Sequence, residues 1–400
     1  MAQTLNLIQD ILKDKFLPAF RNQIGIKPAP FLEMVKKTTA TNDTIIAAAT
    51  FGLNGGVGFG VDGSPTPVSG PQMYKNFEIE TVNLYCNIEI SDKTIKLGSK
   101  SESAMIDALD REVRSAFDAA NWNIGRALFG DGSGKLCTSD YEVNGKADYL
   151  TVDDTRFLKE GMIVDVVNVS GESPTTVATH RITAIDRVNN RVYFETTYDG
   201  DFVPNAHILT LQNSYNREIT GLGAVMYDEV ATVYGKNKAA NPWLKPIVVD
   251  AKNNLTDITI TNAMRDSTNL KNGDIDLIMM GDDAFNAYQT YMKEENNNFI
   301  TSVNNLKFKG GHTGFEVLFG NKTAKVVNES FIPKDEVWGV TTKDWKYEST
   351  PFDFAAENSS IFTLVPGQNY YRALLTSYGN LICENPGACV RIKNCAMKAV

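Results

Sequence analysis

Residues 101–132 read SESAMIDALDREVRSAFDAANWNIGRALFGDG. Apolar side chains fall at Ile106, Leu109, Val113, Phe117, Ala120, Ile124 and Leu128, the three- and four-residue steps of one helical face. Ser99 and Glu102 stand at the S-x-x-E spacing of a capping box, in which each residue satisfies a backbone N–H of the first turn. Gly130 closes the run. The pattern predicts one helix over 100–129, roughly 45 Å long at about 1.5 Å per residue and over twice the usual length. A rod of that length with a single apolar stripe is expected to lie across a sheet like a strut.

The segment before it has no helical period. TIIAAATFGLNGG (44–56) leads into GVGFGVDGSPTPVSGP (56–71), after which alternation sets in. Phe77, Ile79 and Thr81 share one face; Val82, Leu84, Cys86, Ile88 and Ile90 share the next. The phase slips between Thr81 and Val82, the mark of a bulge or bend. This reads as a long two-stranded excursion around a Gly/Pro-rich turn, and such a hairpin is marginal alone. Its apolar residues Ile45, Ile46, Phe51, Leu53 and Phe59 therefore need a second surface, and a neighbouring copy is the one expected. Residues 1–40 read as an arm: a helical period at Leu5, Ile8, Leu12 and Phe16, a stop at Pro18, and Pro28 and Pro30 holding the chain extended. The arm carries six Lys/Arg against three Asp/Glu.

Downstream, 137–215 breaks into short strands, with Asn189-Asn190 placed for a tight hairpin turn, and is expected to form a small inserted barrel. GLGAVMYDEVATVYG (221–235) reads as helical to Gly235. Helices are predicted over 257–270 and 282–295, with the strand DIDLIMM between them and the polar stretch KEENNN opening a loop after the second. Strands recur over 315–365, and YYRALLTSYG and ACVRIKNCA supply two more near the end. The class is α+β. Four hundred residues exceed what one core serves, about 250–300, so two or three domains are expected.

Composition narrows function. With 39 Lys+Arg against 48 Asp+Glu the net charge is −9, which argues against a dedicated nucleic-acid-reading domain. No charge-free run approaches the roughly 18–20 apolar residues that cross a bilayer. Asp10 and Lys13 interrupt the N-terminus where a signal peptide would be apolar, so a cytosol-like compartment and no membrane partner are expected. The five Cys are odd in number and scattered, which predicts buried free thiols; the six-residue spacing of Cys383, Cys389 and Cys395 is not that of a zinc site. Gly58–Gly63 matches G-x-G-x-x-G, but Ser64-Pro65-Thr66-Pro67 follows where a helix must start, so it reads as a hairpin tip. Gly130–Lys135 is one residue short of a phosphate loop and has Leu136 in place of the Ser or Thr. His180, His207 and His312 form no metal or catalytic pattern, and the adjacent acids Asp282-Asp283 and Glu294-Glu295 diverge around a helix. No catalytic set, cofactor or metal is expected.

Four stretches in this order resemble the major capsid protein of tailed phages, the Hong Kong ninety-seven fold shared with encapsulins. They are TIIAAATFGLNGG…NFEIETVNLYCNIEI as its E-loop, SESAMIDALDREVRSAFDAANWNIGRALFGDG as its spine helix, IDLIMMGDDAFNAYQTYM as the strand and helix of its axial domain, and ALLTSYGNLICENPGACVRI as its closing peripheral strands. The resemblance implies an arm over 1–40, an E-loop over 41–98, a spine helix over 99–136, an insertion domain over 137–215, an axial domain with peripheral parts over 216–375, and closing peripheral strands over 376–400. It implies a structural subunit that assembles with itself into hexamers and pentamers of an icosahedral head. The implied partners are a portal protein, a decoration protein and packaged double-stranded DNA held without specificity; the implied location is the virion, after assembly in the host cytoplasm. An acidic chain suits such a lumen, because a strongly basic one would grip DNA too tightly to release it. The roughly 100 residues before the long helix are used by arm and hairpin, so the scaffolding protein is expected to be separate. Some relatives weld neighbours by a Lys–Asn bond; Lys75 lies beside the hairpin, with no Asn or acid matched to it. An encapsulin-type cargo shell and a tail or baseplate component are the rival readings, with a soluble α+β enzyme behind them.

Overall fold

The computed structural model describes residues 30–52, 54–63, 65–93, 102–139, 146–169, 175–199, 206–295, 314–319, 322–355 and 362–396. The long helix runs Glu102–Phe129. Ser99, the capping partner, lies outside the described residues, as do the expected helix of the first 20 residues and the loop opened by KEENNN. Val113, Phe117, Ala120, Ile124 and Leu128 are buried in register with the expected stripe. They face the strand Val82–Ser91, and the Cys86 thiol reaches the Ala116 carbonyl at 3.5 Å. After Phe129 the chain leaves through a turn in which Asp131 Oδ1 accepts the Ser133 N–H, with Gly132 and Gly134 at positive φ. The phosphate-loop look-alike is thus the exit turn of the helix.

The sheet under this helix is built on one long strand, Tyr370–Cys383. Along one edge Val82–Ser91 pairs antiparallel, from Tyr370↔Ser91 to Gly379↔Val82. Along the other edge Trp345–Ser349, Asp353–Ala355 and Phe362–Leu364 follow one another, and Lys36–Thr38 adds in parallel beyond the first of these. Two expectations are corrected here. The strand at 82–91 is not the return arm of the hairpin; the phase slip at Thr81 is the point where the chain leaves the hairpin for this sheet. Nor are residues 30–38 an extended free arm. Pro30 opens the helical turn Pro30–Met34, where its fixed φ and missing N–H do no harm. Phe31 and Leu32 are fully buried, with the Phe31 ring edge-on to Trp345 at 5.6 Å and to Phe129 at 6.1 Å.

A second sheet has the order Ile247–Asp250, Val390–Lys393, Val337–Val340, Leu277–Met280, Lys322–Asn328, Gly314–Phe319. Helices Asp257–Lys271 and Asp282–Glu295 pack on it around Ile260, Met264, Ile278, Met280 and Tyr288, a core distinct from the first. Thr256 caps the first of these helices and Asn272, in the left-handed region, ends it. Residues 390–393, expected beside 370–383 as a closing peripheral strand, lie in this sheet instead. The short helix Pro386–Ala388 redirects the chain, and its Gly387 passes so close to the Trp243 carbonyl that a Cβ would sit 2.1 Å from it.

The helix expected to reach Gly235 stops after Leu222–Met226. The cause is Lys238, buried, whose Nζ donates to the carbonyls of Val225 at 3.1 Å and Tyr227 at 2.6 Å. Those are the acceptors the next helical turn would have used.

Residues 135–211 form six antiparallel strands in the order Lys135–Thr138, His207–Leu211, Ile163–Asn168, Thr175–Asp186, Arg191–Asp199, Lys146–Thr151. A bridge from Ser139 to Val152 joins the two outer strands, so the sheet closes into a small barrel filled by Leu150, Leu158, Val164, Val166, Ile182 and Val192. Asn190, at φ 50°, turns the hairpin between Asp186 and Arg191.

Candidate assembly surface

The hairpin pairs Thr44–Thr50 with Tyr74–Glu80. Alternation divides it into two faces. Ile45, Ala47 and Ala49 point inward with Phe77 and Ile79 and belong to the chain's own core. Ile45, at 3% exposure and opposite Ile79, is therefore not waiting for a neighbour, which corrects the expectation for that residue. Ile46, one step along and opposite Glu78, faces outward at 63% exposure.

Phe51 is also committed within the chain. Its ring stacks on Trp243 at 4.5 Å and 9°, and Trp243 stacks in turn with Phe77 at 5.9 Å. Lys75 Nζ donates to Asn241 Oδ1 at 2.6 Å, so the hairpin's lysine is tied to its own chain. These contacts fix the root of the hairpin. Beyond it, Gly55 N–H donates to the Gly70 carbonyl at 2.9 Å, and a Cβ on Gly70 would lie 2.8 Å from Gly55 Cα. Glycine is required for that approach.

Past the glycine crossing, Val57, Phe59, Val61 and Val68 are exposed. Phe59 presents its whole ring to solvent; Leu53 lies outside the described residues. Sequence reading singled out Phe59 and missed the valines, although V-G-F-G-V places all three apolar side chains at period two. Asp62 is the one charged residue between Asn54 and Gly70. Large apolar side chains grouped on a projection mark an interaction surface.

The body carries a concavity. A groove of about 2000 Å³ runs between the strand at 82–91, the long helix and the mouth of the barrel. Tyr85, Ala116, Ala119 and Trp122 supply apolar lining, and charges of both signs border it, the acids Glu78, Glu80 and Asp118 among them with Arg181 and Arg217. Cys86 lies in its wall, but burial pushes that thiol up to about 11, away from nucleophilic use. Among the described residues no three His, Cys, Asp or Glu side chains are placed to hold a metal ion, and no helix is long and apolar enough to cross a membrane.

The barrel is clamped to this face. Phe331 from the second sheet's turn sits between Trp122 and Phe129 of the helix, each at 5.9 Å, and Phe157 of the barrel at 6.3 Å. Lys159 Nζ lies over the Trp122 ring at 4.5 Å.

No protein-family model and no curated protein sequence matches the chain. Solved structures do. The chain in the cyanophage A-1(L) capsid asymmetric unit aligns with TM-score 0.52 at 13% identity, over 92% of this chain and 93% of that one. A chain of the holo-SrpI encapsulin complex from Synechococcus elongatus PCC 7942 aligns with TM-score 0.44 at 7% identity, over 93% and 90%. One from Gordonia phage Cozz gives 0.44 at 10% identity, over 92% and 86%. At such identities the likeness is one of fold, and the first alignment runs from one end of both chains nearly to the other. Strut helix, projecting hairpin and two mixed sheets together make this an α+β chain with the fold of the phage major capsid protein.

Proposed function

We propose that the chain is a structural subunit of a capsid shell, and that its hairpin tip seats on a neighbouring copy. The observation that carries this is the apolar group Val57, Phe59, Val61 and Val68, exposed on a projection whose root is fixed. The groove beside Tyr85 and Trp122 is the receiving face, because its apolar side chains offer the cover that the tip's valines and Phe59 lack. The contact is heterologous, tip to groove, and a heterologous contact that closes makes a ring. On this reading hexameric and pentameric rings build an icosahedral head around the double-stranded DNA of a tailed phage. A portal, a separate scaffolding protein and a decoration protein would complete it, and the net charge of −9 keeps the lining from binding DNA tightly.

The test is removal of residues 54–70 in favour of a short glycine link. A folded chain that no longer assembles is the expected result. Normal particles from the shortened chain would end the proposal.

A further inference from the structure

Where the strand Lys322–Asn328 ends, Glu329 to Ile332 make the turn that delivers Phe331 to its place between helix and barrel. Glu329 N–H donates to the Met280 carbonyl at 2.8 Å, and its own carbonyl accepts Ile332 N–H at 3.3 Å. Its side chain bends back, so that Oε1 accepts the Phe331 N–H at 3.3 Å. The residue is 3% exposed, and its second oxygen, Oε2, is buried with no hydrogen-bond partner. A buried carboxyl satisfied on one oxygen alone is tolerated when neutral and costly when ionised.

Among the described residues no neighbouring positive charge offsets that cost. From the start of the helix Asp282–Glu295, Asp282 acts on Glu329 with the same sign, and Asn328 Nδ2 holds Asp282 Oδ1 at 2.9 Å. The strand Leu277–Met280 brings only a backbone carbonyl. Further along the loop, Glu336 is committed to Arg391 at 2.6 Å and to Trp338 Nε1 at 2.8 Å. Lys334 and Asp335 supply backbone carbonyls, to Ala284 and Cys395. On the barrel side Arg156 pairs with Asp154 and lies over Phe157, and Lys159 lies over Trp122.

We propose that Glu329 is a proton-operated latch on the junction of barrel, long helix and second sheet. Neutral, it holds the turn closed and Phe331 seated; ionised, it draws the turn toward water, withdraws Phe331 and loosens the barrel from the body. Burial, opposed by the Phe331 and Ser330 N–H groups and reinforced by Asp282, pushes this carboxyl up to about 7, so the latch works near neutrality. The sign follows from proton binding: the folded state holds this proton where the unfolded state has lost it. The stability it contributes is complete below the ordinary carboxylate range and is lost as pH rises through about 7.

Hydrogen exchange of the purified full chain at pH 5.5 and 8.5, corrected for intrinsic exchange, tests this. Amides of 329–332 and 155–159 should lose protection about tenfold or more at the higher pH, which lies over a unit above the midpoint. In Glu329→Gln, neutral at both values, that difference should vanish; in Asp282→Asn, with the like charge gone, its midpoint should fall. Equal protection in the unaltered chain at both pH values overturns the proposal, and so does an undiminished pH effect in Glu329→Gln. Should that variant not fold, the unaltered chain's own comparison still decides.

Discussion

Arg126 and Glu218 form a two-pronged ion pair, 2.8 Å from one guanidinium nitrogen and 2.6 Å from the other, at the base of the inserted barrel. Both side chains are nearly or fully buried, Arg126 on the long helix and Glu218 on the segment returning from the last barrel strand. The pair thus pins the barrel's exit to the strut on which the first sheet rests. Breaking a buried pair strands a charge and costs about 3–5 kcal/mol, whereas replacing both partners with apolar residues is often neutral. Glu218→Ala should therefore depress the melting temperature sharply, and the double replacement Arg126→Met with Glu218→Met should recover most of the loss. Calorimetry of the parent and both variants gives the answer; equal melting for all three would show the pair to be unimportant.

Ile45 and Ile46 are adjacent in sequence and opposite in role. Ile45→Asp places a charge in the core and should prevent or severely weaken folding. Ile46→Asp, on the outer face, should shift monomer stability by no more than about 0.5 kcal/mol, the range of ordinary surface changes. Parallel urea titrations separate them. Similar midpoints for the two variants would mean that the strand's phase has been misassigned.

The Phe51–Trp243 stack makes a spectroscopic handle. Phe51→Ala should leave the chain folded at a cost of about 1–2 kcal/mol, less than the ~3–5 of a fully buried phenylalanine, because Phe51 is half-buried. It should also change Trp243 fluorescence and weaken assembly by freeing the hairpin's root. An unaltered emission spectrum is the result that argues against the stack.

Much of this fold was legible from local pattern. The stripe from Val113 to Leu128 and the helices at 257–271 and 282–295 follow from side-chain period alone, and that period belongs to the segment wherever it packs. The alternation at 82–91 announced a strand equally well, but not its partner. Glu89 pairs with Arg372, 283 residues away, and alternation looks the same whichever strand lies alongside. The short helix at 222–226 failed for a related reason, since Lys238 ends it from beyond the window being read. Of the five proposed interface residues, Ile46 and Phe59 are free on the surface while Ile45 and Phe51 are used by the chain itself. Period two separates Ile45 from Ile46. Nothing local could have paired Phe51 with Trp243.

Lys238 carries its own prediction. Lys238→Met keeps the apolar stem and removes the donor, taking the Lys238 bond from the Val225 carbonyl and leaving that of Tyr227 only the longer bond from Val230 N–H. A loss of about 1–3 kcal/mol is expected in chemical denaturation, the usual cost of an unsatisfied buried polar group. A variant as stable as the parent would mean that those carbonyls find other donors.

The central claim is that this chain finishes burying its apolar surface only against copies of itself. Electron microscopy of particles assembled from the full chain, taken to side-chain detail at Phe59, tests it most directly. The account predicts closed shells in which every Phe59 ring is covered by the groove of an adjacent copy, near its Tyr85 and Trp122. Shells in which Phe59 stays in solvent, or a chain that remains a single compact molecule with that ring folded onto itself, would contradict it.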